Sequence, residues 1–210
     1  MSTIRNIVFD LGGVVIALSY EQAVRRFEEI GLNNAHQHLD AYHQKGIFGQ
    51  LEDGSIGKEE FRHELGKLIG REVTADECFY AWHGYVEAVP KRNLDMLTWL
   101  RRHGYRVSLL SNTNPFMMQW ADSSDFDGEG HPISHYFDAM YLSYELKVMK
   151  PSEQIFLSML EGEQARAEET LFVDDGQANV EAAARLGIQT LCPQNNEDWT
   201  GMLLDKLNLR

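Results

Sequence analysis

The sequence predicts an α/β fold in which a parallel sheet is interrupted, after its first strand, by an inserted helical domain. Short runs rich in Val, Ile, Leu, Phe and Tyr alternate with segments of helical periodicity, which is typical of a parallel sheet. Nearly a hundred residues separate the first two of these runs. That distance is too long for one crossover helix, so we expect the intervening part to be a domain of its own.

Five buried strands and four connecting helices make up the predicted sheet domain. Each strand is a short apolar run, and the strands are 6–10, 106–111, 139–143, 170–174 and 188–192. The helices are 92–103, 115–122, 151–162 and 177–186. Proline suits the first turn of the third helix, and Gly104 and Gly187 suit the ends of the first and fourth.

The segment from residue 17 to residue 89 is expected to be helical throughout. Apolar residues recur at helical spacing in 20–30 and 57–69, and Thr74 with Glu77 has the spacing of a capping box before a helix at 78–89. All five prolines lie at residue 90 or later, as an uninterrupted helical bundle before that point requires. We assign 17–89 to a helical cap, and 1–16 with 90–210 to the core.

The balance of charges excludes two classes of partner. The chain carries 19 Lys and Arg against 32 Asp and Glu, a net charge of −13. A surface of this sign repels the phosphate backbone of nucleic acid and the head groups of an anionic membrane. A small anionic substrate remains compatible, because a metal ion or a local cluster of donors overrides the net field.

Cysteine content and hydropathy predict the cellular compartment of the protein. Cys78 and Cys192 are too few for a disulfide framework. The apolar run 7–18 is interrupted by Asp10, and no run reaches the ~18 apolar residues of a membrane helix. We expect a cytoplasmic protein that acts as a monomer or a homodimer.

Polar residues follow three of the predicted strands. These are Asp10 before Leu11-Gly12-Gly13, then Ser111-Asn112-Thr113, then Asp174-Asp175-Gly176. Each alone is explained as a turn residue or a cap, but the carboxyl ends of parallel strands meet at one edge of a sheet and form a ligand crevice there. Converging carboxylates repel one another unless a cation lies between them, and Mg²⁺ suits oxygen ligands and phosphate. The serine hydroxyl, the amide and backbone N–H groups after it, and Lys150 are expected to hold phosphate oxygens.

These residues resemble the four motifs of the haloacid dehalogenase (HAD) superfamily of hydrolases. The matching segments are Phe9-Asp10-Leu11-Gly12-Gly13, Ser111-Asn112, Lys150-Pro151 and Asp174-Asp175, in that order. The resemblance covers essentially the whole chain and implies a Rossmann-like (HAD-like) core with its helical-bundle cap after the first motif. Asp-Leu-Gly, Leu-Leu-Ser-Asn-Thr-Asn and Lys-Pro are also similar to bacterial α-D-glucose-1-phosphate phosphatases.

The resemblance implies a role for each matching residue. Asp10 would be the nucleophile that forms a phosphoaspartyl intermediate while also binding Mg²⁺. The other implied metal ligands are the Gly12 carbonyl, Asp174 and Asp175, and Asn179 would orient a metal-bound water. The residues implied in holding the phosphoryl group are Ser111, Asn112, Thr113 and Lys150, with Lys147 as the alternative lysine.

One position departs from the family pattern. Phosphatases of this superfamily usually carry a second aspartate two residues after the nucleophile, which protonates the leaving group, but this chain has Gly12 there. Such a general acid contributes roughly 10²–10⁴ in rate. An anomeric oxygen leaves more easily than an ordinary alcohol, so a sugar 1-phosphate is a chemically reasonable substrate.

The resemblance thus predicts a Mg²⁺-dependent phosphomonoester hydrolase acting on a small phosphorylated metabolite. Two alternatives stay open, namely a catalytically weak phosphate-binding or regulatory module and a metal-independent 2-haloacid dehalogenase. The adjacent Asp174 and Asp175 argue against the dehalogenase, because without a cation they would repel an anionic haloacid. Substrate choice is expected to reside in the cap, where 52–56 resembles the loop that faces the substrate in relatives.

Overall fold

Among the residues that the structure describes, five parallel strands form the central sheet and two short strands form a separate antiparallel ribbon. We describe residues 3–40 and 44–209 of a computed structural model. The strands are β1 (Asn6–Phe9), β2 (Ala17–Leu18), β3 (Val86–Ala88), β4 (Arg106–Ser111), β5 (Ala139–Leu142), β6 (Thr170–Val173) and β7 (Gln189–Leu191). The sheet order is β5-β4-β1-β6-β7. All five predicted strands are confirmed, within one residue at each end.

The central position of β1 decides where the polar residues meet. Phe9, the last residue of β1, lies opposite Leu109 of β4 and Val173 of β6. Asp10 and Asp174, which follow β1 and β6, therefore leave the sheet side by side, and Ser111 lies close by at the end of β4. The predicted convergence at one sheet edge is thus present in the fold.

Helices cover both faces of the sheet. Within the described residues they are α1 (Tyr20–Glu29), α2 (Gly46–Glu52), α3 (Lys58–Ile69), α4 (Ala75–Trp82), α5 (Lys91–Arg102), α6 (Pro115–Ala121), α7 (Ser143–Leu146), α8 (Glu153–Glu163), α9 (Gln177–Arg185) and α10 (Thr200–Lys206). Val8 of β1 packs in the apolar cluster that includes α8 and α9, whereas Ile7 and Phe9 pack in the other cluster, which continues into the inserted helices. No helix in the described ranges is long and apolar enough to cross a membrane.

The four helices predicted in the core are present, with one correction. The helix predicted at 151–162 begins at Glu153, so Pro151 precedes the N-cap residue Ser152 and does not occupy the first turn. Gly104 and Gly187 both adopt a φ of 85°, the left-handed conformation expected just after a helix.

The inserted segment is not helical throughout. The helices predicted at 20–30 and 57–69 are α1 and α3, and the Thr74–Glu77 capping box is formed. The helix predicted at 78–89 is wrong in extent, because the helix after the capping box is Ala75–Trp82. Helix α4 ends at Trp82 because the chain crosses α1 closely at Gly84, where an added Cβ would lie 2.8 Å from the Cα of Ala23.

The ribbon joins the inserted segment to the core. After the crossing the chain forms β3, which pairs antiparallel with β2. The segment therefore leaves and re-enters the core through two neighbouring strands. This arrangement suits the division of the chain at residues 17 and 89, which stays a prediction.

Candidate active site

A buried lysine joins two of the carboxylates at the sheet edge. Lys150 Nζ lies 2.9 Å from Asp10 Oδ1 and 2.6 Å from Asp174 Oδ2, and it donates a hydrogen bond to the Leu110 carbonyl at 2.9 Å. Its side chain is 1% exposed. Lys150, rather than the alternative Lys147, lines the cleft above these groups.

The electrostatics of this cluster leave an excess of negative charge. Burial raises the pKa of Asp10 to about 6, against the opposing charge of Lys150. Burial, with the negative charges of Asp10 and Asp174, raises the pKa of Asp175 to about 7. Burial alone would lower the pKa of Lys150, but the carboxylates beside it raise the pKa overall, so the ammonium stays charged. One positive charge faces three carboxylates, and a divalent cation would relieve the imbalance.

The donor set fits a hard divalent cation. Asp10, Asp174 and Asp175 each offer a carboxylate oxygen, and these oxygens all lie within 4.8 Å of one another. Beside them, the buried Asn179 Oδ1 has no hydrogen-bond partner in the part of the chain that the structure describes. Carboxylate and amide oxygens are the ligands that Mg²⁺ prefers.

Asp174 and Asp175 differ in how many hydrogen bonds and ion pairs their carboxylates make. Asp174 Oδ1 accepts hydrogen bonds from the Gly176 N–H (2.7 Å) and Asn179 Nδ2 (3.0 Å), and its Oδ2 pairs with Lys150. Asp175 instead packs over Gly13, where an added Cβ would lie 2.4 Å from Asp175 Oδ2 and φ is 74°. Only glycine permits this approach, and Asp175 is the freer ligand of the two.

The residues predicted to hold phosphate divide into two kinds. The Ser111 hydroxyl makes one long contact, 3.4 Å to the Asn112 carbonyl. In contrast, the Asn112 side-chain amide makes two hydrogen bonds with the backbone of Lys150, and the Thr113 N–H donates to Ser143 Oγ at 3.0 Å. All three predicted residues line the cleft, but the second and third also fix neighbouring residues in place. Sequence reasoning missed this positioning role and missed Ser143, since neither has a local signal.

The cleft lies between the sheet edge and the inserted helices and has a volume of about 120 Å³. Core residues that line it include Asp10, Gly12, Ser111, Asn112, Thr113, Asn114, Lys150, Asp175 and Asn179. The inserted segment contributes Leu18, Tyr20, Gln44, Glu52, Trp82 and Tyr85. From the predicted loop 52–56, Glu52 alone is in this lining, and the other residues of the segment were found only by the fold.

Leu18 occupies the space beside Gly12. A Cβ added at residue 12 would lie 2.5 Å from Cδ1 of Leu18, which belongs to the ribbon strand β2. The side of the cleft where relatives are expected to carry an aspartate is therefore filled here by an apolar side chain.

Comparisons with known proteins place the chain among hydrolases. A family model described as haloacid dehalogenase-like hydrolase matches residues 4–187. D-ribitol-5-phosphate phosphatase from Bacteroides thetaiotaomicron is 46% identical over 205 residues, which are 98% of this chain and 99% of that protein.

Two solved structures share the whole architecture. An HAD-like hydrolase from Porphyromonas gingivalis is 42% identical with a TM-score of 0.94 over 100% of both chains. An HAD-family enzyme from Bacteroides thetaiotaomicron, in complex with magnesium and inorganic phosphate, is 35% identical with a TM-score of 0.86 over 95% of this chain and 98% of that one.

Proposed function

We propose, since this chain belongs to the haloacid dehalogenase-like hydrolase family, that it is a Mg²⁺-dependent phosphatase acting on a small polyol or sugar phosphate through a phosphoaspartyl intermediate. The observation that carries the proposal is the placement of Lys150 Nζ within 3 Å of both Asp10 and Asp174, with Asp175 beside them. A nucleophile, a cationic group for phosphoryl oxygens and a set of metal ligands are thus gathered at one sheet edge.

The metal would be held by Asp10, Asp175 and the Gly12 carbonyl. Asp174, whose oxygens already accept hydrogen bonds, would act through Lys150, Asn179 and a water molecule. Mg²⁺, when bound, neutralises the converging negative charge and polarises the phosphoryl group.

The chain's own residues then carry out two displacements. One oxygen of Asp10 attacks phosphorus, while Lys150 and the Ser111 hydroxyl stabilise charge on the phosphoryl oxygens. The leaving oxygen departs on the side opposite Asp10. A water molecule next attacks the phosphoaspartyl group, which releases phosphate and restores the Asp10 carboxylate.

A polyhydroxylated leaving group suits the upper part of the cleft. Tyr20, Gln44 and Tyr85 line it with polar atoms. Trp82 Nε1 is a buried donor with no hydrogen-bond partner among the described residues, so it can serve a substrate hydroxyl. The related ribitol-5-phosphate phosphatase supports a polyol phosphate, and the resemblance to glucose-1-phosphate phosphatases supports a sugar 1-phosphate.

The test is phosphate release from p-nitrophenyl phosphate, D-ribitol 5-phosphate and D-glucose 1-phosphate, each with Mg²⁺ and with EDTA. Turnover that needs the metal and is abolished by Asp10→Asn is the expected result. Asp125→Asn, in the loop before β5, is the matched control and keeps activity. Folded protein that binds phosphate and Mg²⁺ without releasing phosphate from any ester would favour the binding module. Metal-independent halide release from 2-chloropropionate would favour the dehalogenase.

A further inference from the structure

We propose that Glu52, from the inserted helical segment, protonates the leaving group and then activates the attacking water, a task that Gly12 cannot perform. This assignment deepens the proposed phosphatase function and rests on it. Glu52 is the last residue of α2 and lines the same cleft as Asp10 and Gly12.

The need for a proton donor elsewhere follows from the packing at residue 12. Glycine offers no acidic group, and Leu18 Cδ1 lies 2.5 Å from the point where a Cβ would be. Departure of an alkoxide without a proton is slow, and a placed general acid accelerates it by about 10²–10⁴. The donor must therefore come from another side of the cleft.

Elimination among the titratable groups in the described lining leaves Glu52. Asp10 is the proposed nucleophile and pairs with Lys150, and Asp175 is assigned to the metal. The Tyr20 hydroxyl lies 3.3 Å from two backbone carbonyl oxygens, and the Tyr85 hydroxyl donates to the Asp40 carbonyl at 3.2 Å. Burial raises the pKa of Tyr85 far above its usual range, so this hydroxyl is a poor acid.

The position of Glu52 suits the direction of the reaction. In an in-line displacement the attacking and leaving oxygens lie on opposite sides of phosphorus. Asp10 attacks from the sheet edge, so the leaving oxygen points towards the inserted helices, and α2 contributes Glu52 from there.

The backbone around Glu52 is held against the core. Ser143 Oγ donates to the Glu52 carbonyl at 2.6 Å and accepts from the Thr113 N–H at 3.0 Å. Gly54, at a φ of 71°, approaches so closely that an added Cβ would lie 2.1 Å from the Tyr144 carbonyl oxygen. These contacts tie Glu52 to the loop that carries Ser111 and Asn112, as a catalytic group requires.

The surroundings of Glu52 also favour the acid form. Glu52 is only 7% exposed. Burial, followed by the negative charges of Asp10 and Asp53, raises the pKa of Glu52 to about 8. The Tyr85 hydroxyl also faces Glu52, and its raised pKa keeps it neutral at neutral pH. Glu52 therefore carries the proton that the first step consumes.

The two steps balance. In the first, a bond forms between Asp10 and phosphorus, the bond from phosphorus to the leaving oxygen breaks, and the Glu52 proton moves to that oxygen. In the second, the Glu52 carboxylate takes a proton from water, the water oxygen bonds to phosphorus, and the bond to Asp10 breaks. Glu52 is then protonated again.

The test compares wild type and Glu52→Gln on aryl phosphates whose leaving phenols span a range of pKa, and on methyl phosphate, an alkyl ester with a much poorer leaving group that is followed by phosphate release. Rapid mixing measures phenol release in the first turnover, and steady-state rates measure the second step. For Glu52→Gln we expect a steeper dependence of the first step on leaving-group pKa. We also expect a burst of p-nitrophenol equal to the enzyme, then turnover about 10²–10⁴ slower than wild type. Methyl phosphate should give no burst.

Two variants separate catalysis from folding. Glu60→Gln removes an exposed carboxylate of α3 in the same inserted segment and should keep the wild-type slope, whereas Glu52→Asp should regain part of the lost rate. A wild-type slope in Glu52→Gln, or an equal loss for every leaving group, would overturn the assignment and leave the phosphatase function standing. Failure of wild type to cleave any aryl phosphate with Mg²⁺ would overturn the function itself, and this assignment with it.

Discussion

Asn112 and Lys150 hold each other by two hydrogen bonds, although 38 residues separate them. Asn112 Nδ2 donates to the Lys150 carbonyl at 2.9 Å, and the Lys150 N–H donates to Asn112 Oδ1 at 2.8 Å. The two hydrogen bonds fix the backbone of Lys150, and this position allows its side chain to reach both Asp10 and Asp174.

Asn112→Ala should therefore reduce kcat more than it alters KM. A displacement of about 1 Å in a positioned group can cost about 10²-fold in rate. The unpaired backbone groups of Lys150 should also lower the free energy of unfolding by about 1–3 kcal/mol. Steady-state kinetics and urea denaturation measure the two effects. An unchanged kcat in a less stable variant would show that other contacts place Lys150.

Lys150→Met should destabilise the fold strongly at neutral pH. Removal of one partner of a buried ion pair costs about 3–5 kcal/mol, because the remaining charges lose their compensation. The loss should shrink at about pH 5, where Asp10, whose pKa is already raised to about 6, takes up a proton. Urea denaturation at the two pH values tests this, and an equal loss at both would contradict it.

Mg²⁺ should stabilise the folded protein more at about pH 8 than at about pH 5. The pKa of Asp10 is raised from 3.8 to about 6 and that of Asp175 from 3.8 to about 7, chiefly by burial. A raised pKa means that the folded chain binds protons that the unfolded chain has released. Asp10 and Asp175 therefore favour the metal-free fold in acid, and this contribution is lost as pH rises from 3.8 through about 6 and about 7.

Mg²⁺ competes with protons for the carboxylates of Asp10 and Asp175. The stabilisation by Mg²⁺ should therefore be larger at a pH where these carboxylates are already deprotonated. Thermal unfolding with Mg²⁺ and with EDTA, at both pH values, measures the difference. Asp175→Asn should remove most of the Mg²⁺-dependent shift, and Asp125→Asn should retain it. A shift that is the same at both pH values would argue that the cation binds elsewhere.

The core elements and the cluster of acidic residues could be predicted because their signals are local. A run such as Ile7-Val8-Phe9 followed by Asp10 identifies both a buried strand and the sheet edge at which it ends. Lys150 was expected beside the acidic residues, both from its position before a predicted helix and from the resemblance to family motifs, and the structure places its Nζ within 3 Å of Asp10 and Asp174.

The parts that could not be predicted depend on contacts between distant segments. Helix α2 contains Gly46 and Gly49, which weaken a helical pattern, and it is held to the rest of the fold by buried Phe48 and Leu51 and by the bond from Ser143 to Glu52. The end of α4 depends on how closely Gly84 passes Ala23. Each of these is a tertiary contact that overrides local propensity, and the catalytic assignment of Glu52 depends on the same kind of contact.

Gly12 and Leu18 should behave as a coupled pair. Gly12→Ala places a methyl group 2.5 Å from Leu18 Cδ1, so the leucine must move within the ribbon that joins the inserted helices to the core. Overpacking of this kind costs about 1–3 kcal/mol, and Leu18→Ala should remove most of that cost by emptying the space. Urea denaturation of the two single variants and the double variant measures the coupling directly. If the losses in unfolding free energy of the two single variants add up to that of the double variant, the Leu18 side chain moves aside without cost. Gly12→Asp could then restore an acid at this position without a change at Leu18.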